Sequence, residues 1–162
     1  RYFNVAGADS LLRSGQIGNN STHLIKIASE VAVGKRSKIF IYGNDYPTED
    51  GTGVRDYIHV SDLVDAHVSS LKYLSDHEGG ITLNCGYGKG YSVIDVLKVF
   101  EEIKGKPLKY EFADRREGDS ASLIANNNLI KEKLNWVPKH NDLTKIIEDA
   151  LNWEKKIINH EK

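Results

Sequence analysis

Arg55 is the side chain with the most specific chemistry to offer. It closes a turn-rich stretch marked by Pro47, Gly51 and Gly53. It also opens Arg55–Val60, where apolar and polar residues alternate as in a half-buried strand. A planar guanidinium at a strand edge suits bidentate capture of a phosphate; the competing use is an ion pair with Asp56 or Glu49. A second charged loop, DRREGD (114–119), sets Arg115 and Arg116 beside Glu117 and Asp119. By its charges alone it reads as a solvated network of ion pairs. Gly86-x-Gly88-x-Gly90 lies between a strand and a helix, as a dinucleotide cradle does, but the third glycine of that motif falls on Tyr91. A tight strand-to-helix turn is the better reading. The six histidines show no metal-ligand spacing, and Cys85 is alone, so no cysteine metal site or internal disulfide is expected.

The elements that must position these residues follow from periodicity. Tyr2–Val5 reads as a strand turned by Gly7 and Asp9, followed by a polar loop over 9–21. Leu24, Ile27, Ala28, Val31 and Ala32 recur at helical spacing, and Gly34 ends that helix. Ile39–Tyr42 is a strand. A helix capped by Ser61 places Val64, His67, Val68, Leu71 and Leu74 on one face, with His67 as a core or boundary residue. Ile81–Cys85 and Pro107–Phe112 are further strands. Between them Val93, Val96, Leu97, Phe100 and Ile103 mark a helix whose Ser92 and Asp95 approximate a capping box. A short helix passes through Leu129, Ile130 and Leu134, Pro138 breaks the chain, and a last helix carries Leu143, Ile146, Ile147, Ala150, Leu151 and Ile157. Trp136 and Trp153 are expected as core or staple residues rather than ligand platforms. The 162 residues suffice for one domain with a real core. With 22 basic and 23 acidic side chains there is no basic excess for nucleic acid, and no apolar run approaches the ~20 residues of a membrane span.

TEDGTGVRDYIHVSDL (48–63) resembles the segment that distinguishes UDP-glucose (UDP-galactose) 4-epimerases among the extended short-chain dehydrogenase/reductases. RYFNVAGA at the start, THLI at Thr22, IFIYGNDY, RREGD at Arg115 and LNWVPKHNDL at Leu134 agree with that family and come in its order. The resemblance implies an NAD-dependent isomerase of galactose metabolism that inverts the C4 hydroxyl of a UDP-hexose. NAD takes hydride from C4, the 4-keto sugar rotates, and hydride returns to the other face. The family's base is a tyrosine in a Tyr-x-x-x-Lys pair, the lysine lowering the tyrosine pKa. None of Tyr2, Tyr42, Tyr46, Tyr57, Tyr73, Tyr87, Tyr91 or Tyr110 has a lysine four residues on, and no complete Gly-x-x-Gly-x-x-Gly cradle is present. No catalytic residue is therefore assigned.

For substrate, the resemblance assigns Arg55 and Arg116 to the two phosphates, Asp119 to the ribose hydroxyls, and Phe40, Ile41 and Tyr42 to uracil. Asn4 falls near the phosphates and hexose. Thr22, His23 and Leu24 stand at the head of a helix whose N-terminus favours an anion. Tyr2 and Phe3 resemble residues lining the nicotinamide end of the cofactor. Lys26 replaces a proline common in the family. Leu123 occupies the position of a size gate, where a bulky tyrosine restricts the pocket to glucose and galactose and a small residue admits N-acetyl sugars.

The resemblance maps onto the back half of the family's enzyme, and the chain opens at Arg1 within a strand. The expectation is therefore a fragment: the carboxyl-terminal, UDP-sugar-binding half, inactive without an amino-terminal NAD-binding half. The expected fold class is α/β, the end of a Rossmann-type parallel sheet plus the smaller α/β substrate domain. Arg55–Val60, Ile39 and Pro107–Phe112 would build that smaller domain, and residues 1–6 and 81–104 would pack on the absent half. NAD would be bound mainly by that half, which would itself be a partner beside UDP-glucose or UDP-galactose, with a homo-oligomer left open. No metal, nucleic acid or membrane partner and a cytoplasmic location are expected. Competing readings are a non-catalytic nucleotide-sugar-binding module, and a dehydratase or decarboxylase on the same scaffold; TEDGTGVRDYIHV tells against the latter.

Overall fold

The computed structural model describes residues 1–18 and 20–160; residue 19, within the expected 9–21 loop, lies outside the description. The centre of the fold is a parallel sheet. Strand β1 (Asn4–Ala6) pairs in parallel with β4 (Tyr57–His59), in register Asn4↔Tyr57 to Ala6↔His59. On the other side of β1's segment, Tyr2 bridges Cys85 in parallel. The rest of the expected strand Ile81–Cys85 is irregular. β4 is buried throughout and runs directly into α2 (Val60–Asp76), as strands covered on both faces do. Gly7, at φ +85°, lets the chain leave β1 against the ring of His59; a Cβ there would sit 2.6 Å from that ring.

This arrangement corrects the expected fold class. Tyr57–His59 belongs to the parallel Rossmann-type sheet as the partner of β1, not to a smaller substrate domain. Ile58 supplies fully buried core area where an edge strand would have exposed it.

One face of the sheet is covered by α1 (Leu24–Ala32), α3 (Val93–Lys104) and α5 (Leu143–His160), which pack on one another. Ile25, Ala28, Val96, Phe100, Ile146, Ile147 and Leu151 fill the space between them. α3 starts on a full capping box, with Ser92 accepting from the Asp95 N–H at 2.9 Å and the Asp95 carboxylate accepting from the Ser92 N–H at 3.0 Å. α2 packs on β1, β4 and α4 (Asn128–Leu134). Its expected core stripe is turned outward: Val64, Val68, Leu71 and Leu74 are 47–67% exposed and His67 is exposed beside them.

Two further small sheets shape the site. β2 (Ile39–Tyr42) pairs in parallel with β6 (Tyr110–Ala113). β3 (Val54–Arg55) lies between β5 (Tyr91–Ser92, antiparallel) and β7 (Ser122–Leu123, parallel). The single residue between β3 and β4, Asp56, is fully buried.

Candidate functional site

A cavity of about 800 Å³ opens between the N-terminus of α1, the strand β2 and the end of β3. Five of its walls were expected. Thr22, His23 and Leu24 bring the head of α1, whose N-cap His23 makes no side-chain capping bond. Asn4 comes from β1. Arg55 ends β3, and Arg116 and Asp119 come from the charged loop. Phe40, Ile41 and Tyr42 run along one side.

β2 alternates in burial: Ile39 and Ile41 point into the core, while Phe40 and Tyr42 are 47% and 38% exposed. The Ile39 and Gly43 N–H groups donate to Lys109 and Ala113 carbonyls of the β6 side at 2.9 and 2.8 Å. In a parallel ladder, alternate residues bond to one neighbour, so the peptide groups of Phe40 and Tyr42 face the other edge of β2. Among the described residues no strand pairs with that edge. Free donors and acceptors are thus presented beside two aromatic side chains.

The cations are held in place. The Arg116 guanidinium lies 3.8 Å over the ring of Tyr42. Arg55 donates to the Val54 carbonyl at 2.8 Å and reaches the Asp119 carboxylate at 3.5 Å. The competing pair with Asp56 is ruled out by geometry. That carboxylate is buried and accepts from the Tyr87, Gly88 and Ala125 N–H groups at 2.9, 2.8 and 3.2 Å. Arg115 turns away from the cavity, pairing with Asp45 at 2.6 Å and stacking on Tyr46.

Leu123, Tyr2 and Phe3 do not line this cavity. They line an adjoining open recess of about 610 Å³ that shares Asn4 and His23 with it. Leu123 is half exposed and Tyr2 is 65% exposed. The Gly86–Gly90 turn is structural: Asp56 already occupies its N–H groups, and a Cβ on Gly86 would lie 2.8 Å from that carboxylate. It does not fit a dinucleotide pyrophosphate. Tyr2 and Phe3 are aromatic groups beside the recess.

Sequence reasoning missed several wall residues. Tyr57 opens β4 and Val93 directly follows β5, and nothing in their spacing marks them. Burial pushes the Tyr57 phenol well above its ordinary range, with Arg55 opposing, so it stays protonated. Lys35, Arg36 and Lys38 also line the cavity; here the run KRSK was a signal that went unread. Among the described residues no cluster of three His, Cys, Asp or Glu is placed to hold a metal ion. None of the described helices is long and apolar enough to cross a membrane.

The model of a family described as "NAD dependent epimerase/dehydratase family" matches residues 1–86, more than half of the chain. The chain belongs to that family. A UDP-glucose 4-epimerase of Azospirillum brasilense is 50% identical over 157 residues, which are 97% of this chain and 45% of that protein. The chain superimposes on a UDP-glucose 4-epimerase of Stenotrophomonas maltophila, solved with NAD and formylated UDP-arabinopyranose, with a TM-score of 0.94 at 38% identity; 99% of this chain and 48% of that one are covered. For the UDP-glucose 4-epimerase of Bifidobacterium longum, solved with NAD+ and UDP, the TM-score is 0.92 at 38% identity, covering 98% and 47%. The chain's similarity is thus to isomerases, and it spans about half the length of the relatives it matches.

These findings correct the expectation of a carboxyl-terminal half devoid of NAD-binding region. The region matched by an NAD-dependent family model is residues 1–86 of this chain. Chains solved with NAD align over 98–99% of it. NAD held mainly by an absent half, that half as a partner, and a function defined by its absence all fall with the same observation.

Proposed function

We propose that the cavity holds the UDP group of a UDP-hexose and presents its sugar toward the recess at Tyr2 and Phe3, as part of an NAD-dependent UDP-glucose 4-epimerase reaction. The observation that carries this is the free edge of β2 at Phe40 and Tyr42, ending at a guanidinium stacked on Tyr42. A uracil has one imide donor flanked by carbonyl acceptors and finds complementary peptide groups along that edge. The diphosphate meets Arg116 and Arg55, two cations for two charges. Asp119 keeps acceptor capacity for the ribose hydroxyls beyond its long contact with Arg55. The uncapped head of α1, with Thr22, His23 and Leu24, adds N–H groups on the anion's side, and Asn4 stands where cavity and recess meet.

NAD, when bound, would supply hydride acceptance from C4 and its return; the residues of this chain proposed to face it are Tyr2 and Phe3. No tyrosine of the sequence has its lysine four residues on, so the proton step is assigned to none of them. Turnover of UDP-galactose by the 162 residues alone is expected to be undetectable for that reason, and measurable turnover would overturn it. Leu123 is proposed as the gate for the sugar's 2-substituent: Leu123→Tyr should lower binding of UDP-N-acetylglucosamine while sparing UDP-glucose. A cytoplasmic location belongs to the same proposal.

Titration calorimetry with UDP-glucose tests the reading. Arg116→Ala should weaken binding about tenfold or more, as loss of a charged hydrogen bond does, and Arg115→Ala should leave it unchanged. Equal effects of the two, or no binding by the unaltered chain, would overturn it.

A further inference from the structure

Arg36 is held with more care than a rim residue needs. Its backbone N–H donates to the Glu30 carbonyl at 3.3 Å, and its Nε donates to the Glu30 carboxylate. Glu30 is 2% exposed and is fixed in turn by Lys26, whose Nζ lies 3.3 Å away. Lys26, also buried, bonds the carboxylate of Glu154 on α5, 128 residues along the chain. Burying two carboxylates and an ammonium is costly unless each is paired. Here the pairing leaves one outcome at the surface: a guanidinium pinned through one nitrogen. Its terminal nitrogens make no hydrogen bond to the described residues. Arg36 lines the same cavity as Arg55 and Arg116.

The position along β2 gives this cation a target. Arg116 stacks on Tyr42 at one end of the strand, and Lys38 precedes Ile39 at the other, with its Nζ 4.9 Å over the ring of Phe40. At ~3.3 Å per residue, Lys38 and Tyr42 are about 13 Å apart. A nucleoside diphosphate laid along the edge with its phosphates at Arg116 points the far edge of its base at the Lys38 and Arg36 end. Lys38 is already engaged by Glu111 at 2.6 Å, which leaves Arg36 as the held donor. We infer that Arg36 is a specificity-determining residue that selects a nucleobase with a carbonyl oxygen on its outer edge, as in uracil, over one with an amino group there, as in cytosine. A cationic donor bonds the carbonyl and faces the amino group donor to donor. Glu30 is its positioning residue. The inference rests on the UDP reading of the cavity.

The test compares UDP with CDP, by calorimetry, on the whole chain. The unaltered chain should prefer UDP by about tenfold or more, the worth of a charged hydrogen bond. Arg36→Gln should lower UDP affinity, leave CDP the same or tighter, and cut the ratio severalfold, the β2 edge retaining the remainder. Glu30→Gln should move the ratio the same way by less. Arg36→Lys, which keeps the charge and loses the pinned fork, should fall between, and it serves if the glutamine variant fails to fold. Binding of UDP with a ratio unmoved by either Arg36 variant, or equal loss of both nucleotides, overturns the inference while leaving the UDP site standing. Binding of neither nucleotide by the unaltered chain overturns the UDP reading itself.

Discussion

Asp56 sits beside Arg55 in sequence, yet its buried carboxylate serves three N–H groups from two distant segments, at Tyr87, Gly88 and Ala125. Asp56→Ala would orphan all three, so it should destabilise the chain by about 3 kcal/mol or more, read as a lowered midpoint in urea unfolding. His59 makes a pH-dependent contribution. Burial first, then the neighbouring His140, holds its pKa below the ordinary value of 6.5, with Asp149 and Asp62 opposing. A histidine depressed in the folded state binds its proton more readily unfolded, so stability is full above about pH 6.5 and declines as pH falls below it. Thermal melts from pH 8 to 5 should show that decline, and His59→Gln should flatten it. At this scale the sequence was legible for side chains with a distinctive task. Arg55, Arg116 and Asp119 were expected together and do line one cavity. The KRSK run that carries Arg36 was a signal left unread, whereas the Lys26–Glu154 pair was not legible, because a buried ion pair between residues 128 apart leaves no local spacing.

Helices were found where periodicity put them, but periodicity shows that a helix has an apolar face, not what covers it. The same pattern marks α2 and α5, yet Leu71 on α2 is 67% exposed while Ile147 on α5 is fully buried. Leu71→Gln should therefore change unfolding free energy by no more than about 0.5 kcal/mol, and Ile147→Ala should cost about 2–5 kcal/mol. The capping box of α3 was readable from Ser92 and Asp95. The sequence did not show that the Ser92 hydroxyl also bonds the Asp50 carboxylate, tying α3 to the site loop. Ser92→Ala should cost about 1–2 kcal/mol, more than an ordinary surface cap. Two-residue strands such as β3 and β7 carry too few residues for alternation to register, and tertiary pairing alone makes them.

Over the whole molecule, the parallel pairing of β1 with β4 sets the head of α1, β2 and β3 around one opening. The family resemblance was legible across the chain, and the family model bears it out over residues 1–86. Its division into a cofactor-binding and a cofactor-free half was not, because a strand such as Tyr57–His59 shows its apolar residues but not the strand it pairs with. The most direct measurement is a crystal structure of the chain soaked with UDP. The account predicts uracil along the free edge at Phe40 and Tyr42, its outer carbonyl toward Arg36, and the diphosphate between Arg55 and Arg116. UDP bound away from β2, or lying with its phosphates at Lys38 and Arg36, would contradict it.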